Sequence, residues 1–348
     1  MSELKGLYPE LEALSEDWIE VGDGHAIRYE TSGNPNGIPV IFFHGGPASG
    51  CKPDHRRFFD PARYHVVLMD QRGCGRSRPY GLLEGNTTHN LLADAEAIRE
   101  ALGIRSWVIF GGSWGGTLAL LYAQSFPERV MGLILRGTFL ARQRDLSWYV
   151  GDGLRRMFPE AWSQLDAAVP NAIRTHAAPS EEDFLHALPH FIDRGAQAVL
   201  HGDDDLAFSV SRAWERFTGE AVGLALPTPL DGFTPQDVDT ETRQRLVART
   251  RIELHYAHHR YFIRDNQILD EIARVPRVPT FLIHGRRDVT CMPETSWQLK
   301  QALPHAELEL LHTTGHLANE PENTDALIRA TDRMAALLVG APSVHSRL

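Results

Sequence analysis

Cysteine is scarce in this chain of 348 residues, which contains only three. Cys51, Cys74 and Cys291 cannot form a complete set of disulfide bonds, and none of them has C-x-x-C spacing. This argues against a disulfide-stabilised secreted fold and predicts a reducing, cytoplasmic location. Cys74 and Cys291 are expected near the active site, either as inert buried thiols or with one of them sensitive to thiol reagents.

Long apolar runs and an excess of basic residues are also missing. No run reaches the roughly 18 apolar residues that a membrane-spanning helix requires, and the acidic N-terminal segment lacks the pattern of a signal peptide. The 35 basic and 45 acidic residues give a net charge of −10, which argues against a nucleic-acid partner. We expect no membrane partner and no nucleic acid, and the sequence leaves the oligomeric state open.

A glycine-rich turn at residues 111–116, with the sequence GGSWGG, is the most informative feature of the chain. It follows the apolar run at 107–110 and precedes a helix predicted from 115 to 125. Strand, sharp turn and helix form the context of the G-x-S-x-G nucleophile elbow, in which glycines avoid clashes around a strained serine. Ser113 is therefore the candidate nucleophile. Alone, the hexapeptide is also compatible with a turn that only packs a helix against a sheet.

Two later loops supply the partners that a catalytic serine requires, a general base and an acid that orients it. In this fold the acid and then the histidine follow the serine, each on a loop after a later strand. Asp288 follows the predicted strand 279–284, and His316 follows the predicted strand 307–311. Because the carboxyl ends of parallel strands meet at one edge of a sheet, we expect Asp288 and His316 to converge on Ser113.

The segment HGGP at residues 44–47 closes an apolar strand predicted at 39–43. An HGG turn after the third strand of this fold directs a backbone N–H toward the serine, where it pairs with the N–H of the residue after the nucleophile. We therefore predict that Gly46 and Trp114 donate hydrogen bonds to the oxyanion. Donors of this kind contribute about 3 kcal/mol each to stabilising the transition state. His44, within the turn, is expected to have a structural role.

With these residues identified, the chain resembles the proline iminopeptidases (prolyl aminopeptidases) of the α/β-hydrolase fold. The resemblance covers most of the chain and is carried by HGGP, DQRGCGRS, the elbow, LRGTF, RIE, GRRD and GH, which begin at residues 44, 70, 111, 135, 251, 285 and 315. The wider fold shares the elbow and triad, whereas DQRGCGRS and RIE are closer to this family. The resemblance implies that Ser113, Asp288 and His316 form the triad and that Glu253 holds the free amino group of the substrate.

One segment departs from the family pattern. The family shows a W-x-x-W-E-G stretch whose glutamate is a second ligand for the substrate amine, and this chain has Thr218 there, within WERFTGE at 214–220. A protonated amine in a half-buried pocket needs opposite charge to offset its desolvation, so losing a carboxylate is expected to weaken binding. If the segment is helical, Glu215 lies on the same face as Thr218 and is the candidate replacement.

Three further residues are candidates for the substrate pocket. Arg136 lies in the LRGTF segment of the family resemblance, at the end of the strand predicted at 130–135. Phe139 and Tyr149 follow shortly afterwards and are predicted to line the acyl pocket. Packing in the core is the alternative for both aromatic residues.

Strands and helices alternate in the first third of the chain. The patterns predict a hairpin at 18–30, strands at 39–43, 65–70, 107–110 and 130–135, and helices at 88–102 and 115–125. This alternation predicts an α/β class, here the α/β-hydrolase fold, with a mostly parallel, doubly wound sheet.

The middle of the chain interrupts this alternation. Helical patterns without strands from 137 to 270 predict an inserted helical cap domain, which leaves 1–136 and 271–348 as the catalytic domain. A stretch rich in proline and glycine at 221–239 is expected to be a loop within the cap.

The sequence gives no support for a metal or a nucleotide cofactor. His255, His258 and His259 have i, i+3, i+4 spacing, but no Cys or carboxylate cluster accompanies them, so we expect no metal. The glycines at 111–116 lack G-x-G-x-x-G spacing, so we expect no cofactor.

Together these features predict a serine exopeptidase that releases an N-terminal residue, preferentially proline, from a small peptide substrate through an acyl-enzyme. A carboxylesterase or small-amide hydrolase on the same fold is the first alternative, because Thr218 replaces the expected amine-binding glutamate and a fold does not determine a substrate. A non-catalytic binding protein is the second alternative, but it does not account for all three triad members in order.

Overall fold

An eight-stranded sheet forms the centre of the molecule in the computed structural model, which describes residues 4–169, 181–227 and 233–340. Its strands are β1 (Ala13–Glu20), β2 (Ala26–Gly33), β3 (Ile38–Phe43), β4 (Tyr64–Met69), β5 (Trp107–Gly112), β6 (Val130–Arg136), β7 (Thr280–Gly285) and β8 (Glu307–Leu311). They lie in the order β1-β2-β4-β3-β5-β6-β7-β8. Every strand predicted from the sequence is present, and β1 and β2 form the predicted hairpin.

The direction of the strands places the loops that carry the candidate site. β2 pairs antiparallel with β1 and β4, and all the other neighbours are parallel, which confirms the predicted mostly parallel sheet. β3 lies between β4 and β5, so the strand order reverses there. Ligands of open α/β sheets bind outside the carboxyl ends of strands at such a reversal. The turn at 44–47 and Ser113 lie at this point.

Helices cover the sheet and fill the long connection between β6 and β7. They are α1 (Thr88–Ala101), α2 (Trp114–Ser125), α3 (Gln143–Val150), α4 (Leu154–Met157), α5 (Pro159–Ala168), α6 (Glu181–His201), α7 (Asp204–Val222), α8 (Thr240–His258), α9 (Gln267–Asp270), α10 (Glu294–Ala302) and α11 (Pro321–Gly340). α1 begins after Thr87, whose side chain accepts a hydrogen bond from the backbone N–H of Asn90. α1 and α2 confirm the two helices predicted in the first third.

The sheet is buried on both faces because successive side chains of a strand point to opposite sides. Ile41 of β3 belongs to an apolar cluster with Leu118 of α2. Its neighbour Val40 belongs to a second cluster, on the other face, with Leu327 of α11. The sheet therefore lies between two helical layers, as a doubly wound fold requires.

The segment between β6 and β7 consists of α3 to α9, and none of its described residues belongs to a strand. The inserted helical region is thus confirmed, whereas its boundaries as a separate domain stay a prediction. α7 extends to Val222, so the loop predicted at 221–239 begins at Gly223 instead. Residues 228–232 of that loop lie outside the described part of the chain.

α8 is attached to the sheet domain next to the nucleophile elbow. The hydroxyl of Tyr256 donates to Asn86 Oδ1 at 2.8 Å, and its ring packs on the indole of Trp114 with 5.2 Å between centroids. Glu253 lies one helical turn before Tyr256. The insertion therefore brings the predicted amine-binding carboxylate to the same end of the sheet as the elbow.

Candidate active site

Ser113 stands between β5 and α2 in a backbone conformation that few non-glycine residues adopt. Its φ of 57° and ψ of −124° lie in the region of positive φ, where an L side chain is strained. Its N–H donates to the carbonyl of Arg136 at 2.9 Å, and its carbonyl accepts from the N–H of Gly116 at 2.9 Å. These bonds hold the turn in the strained conformation that the elbow motif predicts.

Two glycines near Ser113 allow very close backbone approaches. A Cβ atom added at Gly111 would lie 2.2 Å from the carbonyl oxygen of Gly115. One added at Gly115 would lie 2.0 Å from the carbonyl oxygen of Phe43, at the end of β3. Both distances are far below van der Waals contact, so the clashes expected from the sequence are confirmed. α2 therefore starts directly against the end of β3.

Asp288 and His316, on the loops after β7 and β8, are joined as the sequence predicts. His316 Nδ1 lies 2.8 Å from Asp288 Oδ2. Burial alone would raise the pKa of the Asp288 carboxyl, but the adjacent His316 and His284 rings outweigh burial and lower it well below its usual value. The carboxylate is therefore ionised and can only accept, so Nδ1 of His316 carries the proton of this hydrogen bond.

The end of β6 lies between Ser113 and the Asp288–His316 pair. Gly137 has a φ of +51°, and a Cβ atom added there would lie 3.1 Å from Asp288 Oδ2 and 3.6 Å from His316 Cε1. The preceding residue, Arg136, accepts the Ser113 N–H through its carbonyl. The three residues thus surround one short backbone segment at the carboxyl edge of the sheet. Their assignment as a catalytic triad stays a prediction.

Arg136 supports the loop that carries His316. Its Nη1 donates to the carbonyl of His316 at 2.5 Å, and a Cβ atom added at Gly112 would lie 2.5 Å from its Nη2. Removal from water lowers the pKa of the guanidinium. These contacts occupy Arg136 inside the protein, and its role in substrate binding stays a prediction.

Gly46 and Trp114 lie on two turns that meet at Ser113. A Cβ atom added at Gly45 would lie 3.5 Å from Cβ of Ser113, so the first turn contacts the nucleophile. Gly46 has a φ of +115°, and an added Cβ atom would lie 2.7 Å from the backbone nitrogen of Ala48, which leaves room for glycine only. Trp114 is the first residue of α2, where backbone N–H groups lack an acceptor within the helix. Their assignment as oxyanion donors stays a prediction.

His44 makes the structural contacts expected from the sequence. Burial lowers the pKa of its imidazole, which keeps the ring neutral. The backbone N–H of Gln71 donates to His44 Nε2 at 3.1 Å, and the Gln71 side chain donates to the His44 carbonyl at 2.8 Å. Gln71 Oε1 accepts from the indole of Trp114 at 3.0 Å. Gln71 thereby links the two turns beside Ser113, a role that only its place in the DQRGCGRS segment could have signalled.

Cys291 lies beside the nucleophile, with its Sγ 3.9 Å from Ser113 Oγ. Cys291 and Cys74 are both buried, and burial raises the pKa of each thiol well above its usual value. A raised pKa keeps both groups protonated, which supports their interpretation as inert buried thiols. The contact with Ser113 depends on how the loop after β7 folds, and no local pattern in the sequence signals it.

Glu253, on α8, has both carboxylate oxygens hydrogen-bonded within the protein. Oε2 accepts from the indole N–H of Trp214 at 2.6 Å, and Oε1 accepts from Nε of Arg249 at 2.9 Å. The side chain of Glu253 is 13% exposed, whereas that of Arg249 is 43% exposed. The carboxylate implied to bind the substrate amine is thus held in place and already paired with a cation. Arg249 is not among the site residues predicted from the sequence, although its i, i+4 spacing from Glu253 is a visible signal.

Glu215 lies on α7 and binds the segment that leads to α8. Its Oε2 accepts the backbone N–H of Thr234 at 2.8 Å. Its charge also contributes to raising the pKa of Arg249, after the larger effect of Glu253. Glu215 therefore adds negative charge to the surroundings of Glu253, and its role as a replacement for the missing glutamate stays a prediction.

Tyr149 lies near Glu253 and near Cys291, the residue beside Ser113. Burial, followed by the nearby Glu253 and Cys291, raises the pKa of the Tyr149 hydroxyl, so it stays protonated. This position fits a residue that lines a pocket between the two. Phe139 is buried and packs edge-on against Tyr261 with 5.0 Å between ring centroids. Both pocket-lining roles stay predictions.

Residues 4–169, 181–227 and 233–340 contain neither a metal-binding cluster nor a membrane-spanning helix. There, no group of three or more His, Cys, Asp or Glu side chains is arranged to hold a metal ion. His255 instead has its Nε2 3.0 Å from the carbonyl of Asn86. None of the helices in these ranges is both long and apolar enough to cross a membrane.

Comparisons with known proteins agree with this geometry. The family model described as alpha/beta hydrolase fold matches residues 38–322. The chain is 39% identical to a proline iminopeptidase of Xylella fastidiosa, over 94% of this chain and 99% of that protein. It is 38% identical to a proline iminopeptidase of Arabidopsis thaliana, over 95% of this chain and 83% of that protein. The crystal structure of the proline iminopeptidase of Mycobacterium smegmatis is similar in fold, with a TM-score of 0.56 and 21% identity over 93% of this chain and 100% of that chain. The chain therefore belongs to the proline iminopeptidase family of the α/β-hydrolase fold.

Proposed function

We propose that this protein is a serine exopeptidase, a prolyl aminopeptidase, that releases N-terminal proline from short peptides. The observation that carries the proposal is the near full-length match to proline iminopeptidases, combined with the elbow at Ser113 and the hydrogen bond between Asp288 and His316. A fold alone does not determine a substrate, so the proposal rests on these relatives and residues and not on the sheet topology.

In the proposed mechanism, each member of the triad has one task. His316 donates its Nδ1 proton to the ionised Asp288, which leaves Nε2 as the basic nitrogen. Nε2 takes the proton of Ser113 as Oγ attacks the carbonyl carbon of the N-terminal residue, and then gives it to the leaving amine. Water next attacks the acyl-enzyme, with Nε2 again accepting a proton and returning it to Ser113. Asp288 stays ionised throughout and stabilises the imidazolium.

The negative charge that develops on the carbonyl oxygen is proposed to be held by the backbone N–H groups of Gly46 and Trp114. Trp114 begins α2, so the positive end of the helix dipole also points toward this oxygen. The tight packing of the elbow against the end of β3 supports this role, because it fixes the two turns before substrate binds.

The free amino group of the substrate is proposed to bind at Glu253. Tyr256, one helical turn after Glu253 on α8, packs on Trp114 next to Ser113, so an amine near Glu253 would leave the first carbonyl group near the nucleophile. A carboxylate at this end of the cleft attracts a charged amino terminus but does not attract a neutral internal amide. This difference in attraction would make the enzyme an exopeptidase.

The proposal is tested by comparing proline arylamide with N-acetylproline arylamide and with a panel of other aminoacyl arylamides. The free-amine proline substrate is expected to have the highest kcat/KM, and Glu253→Gln is expected to lower that value by about 10- to 1000-fold, the scale for breaking a buried charged pair. Equal hydrolysis of the free and the acetylated substrates would overturn the proposal.

A carboxylesterase or small-amide hydrolase is the second candidate, and specific observations favour it. Thr218 stands where the family has an amine-binding glutamate, and the Glu253 carboxylate is paired with Arg249. Both features lower the attraction for a charged amine. A simple ester hydrolysed with a higher kcat/KM than every aminoacyl arylamide would establish this second function instead.

We also propose that 137–270 form a cap over a catalytic domain of 1–136 and 271–348, with the peptide bound between them. The support is that α3 to α9 separate two neighbouring strands of one sheet, β6 and β7. A cytoplasmic location is part of the proposal and is supported by the three free thiols.

A further inference from the structure

Arg249 and Glu253 form an ion pair one helical turn apart on α8. The carboxylate is the less exposed member, and its second oxygen is fixed by the indole of Trp214. The guanidinium is the half-exposed member, so it can move without unfolding the helix. A cation of the protein itself thus occupies the carboxylate that is proposed to bind the substrate's amino group.

The charges around Arg249 hold it in this position. Glu253 makes the largest contribution to raising the pKa of the guanidinium, and Glu215 adds to it, although partial burial opposes them. Thr218, whose hydroxyl donates to the carbonyl of Trp214, supplies no charge to this region. A substrate ammonium would therefore enter a region that holds two carboxylates and one guanidinium.

We propose that Arg249 is a specificity-determining residue, whose cation competes with the substrate's ammonium group for Glu253 and so weakens the preference for a free amino terminus. This inference rests on the proposed function, because it assumes that Glu253 binds the amine. An ammonium near an unpaired carboxylate gains the full attraction of an opposite charge. Near Glu253 the ammonium is also repelled by the like charge of Arg249. This repulsion opposes binding whether Glu253 keeps its contact with Arg249 or loses it when the ammonium binds.

A second ion pair on α8 provides a matched control. Arg245 and Glu241 have the same i, i+4 spacing, with Arg245 Nη2 2.8 Å from Glu241 Oε1, but their side chains are 65% and 75% exposed. Exposed pairs of this kind contribute little to stability or binding. The Arg249 pair differs in that its carboxylate is only 13% exposed and is also bound by the indole of Trp214.

The experiment measures kcat and KM of the full chain for proline 4-nitroanilide, which carries the ammonium, and for 4-nitrophenyl acetate, which does not. Arg249→Gln is expected to lower KM for the anilide about tenfold, with a change of less than about threefold in kcat. Arg249→Lys retains the cation, and it is expected to keep the KM of the wild type, as is Arg245→Gln. The ratio of kcat/KM for the anilide to that for the ester should rise about tenfold in Arg249→Gln alone.

An anilide KM that is unchanged or raised in Arg249→Gln would overturn the inference. Turnover of the ester verifies that Arg249→Gln is folded. If Arg249→Gln does not fold, Arg249→Ala takes its place in the experiment. Glu253→Gln separates this failure from that of the proposed function. If Glu253→Gln raises the anilide KM while Arg249→Gln leaves it unchanged, only the inference about Arg249 is wrong. If Glu253→Gln alters the kinetics of neither substrate, the proposed role of Glu253 is wrong, and the inference falls with it.

Discussion

Asp288 binds His316 through one carboxylate oxygen and the backbone of its own loop through the other. Oδ2 lies 2.8 Å from His316 Nδ1, while Oδ1 accepts the N–H groups of Thr290 at 3.0 Å and Cys291 at 2.9 Å. The two backbone N–H groups can only donate, so the side-chain atom that faces them must be an oxygen that accepts. The orientation of Asp288 is therefore determined independently of His316.

This arrangement predicts a specific defect for Asp288→Asn. The amide oxygen would stay at the two backbone N–H groups, so the NH₂ group would face His316 Nδ1 and force that nitrogen to accept. The proton of the imidazole would then sit on Nε2, which could no longer act as a base, and kcat for proline arylamide should fall about 10⁴-fold. Asp205→Asn, at an exposed carboxylate, is the control. A loss of less than about tenfold would mean that another group orients His316.

Removing the nucleophile tests the assignment of Ser113 itself. Ser113→Ala should lower kcat about a million-fold, because no other hydroxyl stands at the elbow, while circular dichroism and thermal unfolding stay close to those of the wild type. A fluorophosphonate should form one covalent adduct with the wild-type protein and none with Ser113→Ala, as mass spectrometry would measure. Activity within about tenfold of the wild type in Ser113→Ala would contradict the mechanism.

Much of this site could be predicted from the sequence because its signals are local. The apolar run before GGSWGG predicts β5, and the glycines predict an elbow whose backbone approaches leave no room for a Cβ atom. Asp288 and His316 each follow a short strand that the sequence predicts, so the parallel order of strands suffices to bring them to one edge.

The surroundings of Glu253 could not be predicted in the same way. The contact of Glu253 with Trp214 joins α8 to α7, and that of Trp162 with Phe217 joins α5 to α7. Such contacts depend on how helices of the insertion pack on one another, and the periodicity of a single segment does not encode this packing. The departure at Thr218 was visible in the sequence, but its consequence depends on these neighbours.

Half-buried His55 is expected to make the fold sensitive to acid. Burial, with smaller contributions from nearby positive groups, lowers its pKa to about 3, and its ring stacks on Phe42 with 4.4 Å between centroids. The pKa of His55 is lower in the folded than in the unfolded protein. Its contribution to the free energy of unfolding is therefore fully present above about pH 6.5 and is lost as the pH falls toward about 3. Chemical denaturation at several pH values between about 6 and 4 measures the slope.

His55→Phe is the informative variant, because it keeps an aromatic ring on Phe42 and removes the titrating group. The free energy of unfolding should fall less steeply with acid than in the wild type, by up to about 1 kcal/mol per pH unit. Exposed His201→Gln is the control and should keep the wild-type slope. Parallel slopes for His55→Phe and the wild type would show that other groups cause the acid sensitivity.

Thr218→Glu tests whether the site gains a preference for charged amines when the missing carboxylate is restored. Thr218 is buried and its hydroxyl donates to the carbonyl of Trp214 at 2.9 Å, and the indole of Trp214 in turn binds Glu253, so a glutamate at 218 would place a second negative charge close to the proposed amine site. At neutral pH, below the pKa of the amine, kcat/KM for proline arylamide should be about tenfold higher in Thr218→Glu than in Thr218→Gln.

Thr218→Gln is the matched control because it has nearly the same size and hydrogen-bonding capacity but no charge. Burial and the nearby Glu253 would raise the pKa of the new carboxyl, so the advantage of Thr218→Glu over Thr218→Gln should grow as the pH rises from about 5 toward 7, where the amine is still charged. Hydrolysis of 4-nitrophenyl acetate should show no such difference, since this substrate has no amine. Equal kcat/KM values for the arylamide in the two variants at every pH would mean that the amine does not bind near Thr218, and the esterase function would then become the better proposal.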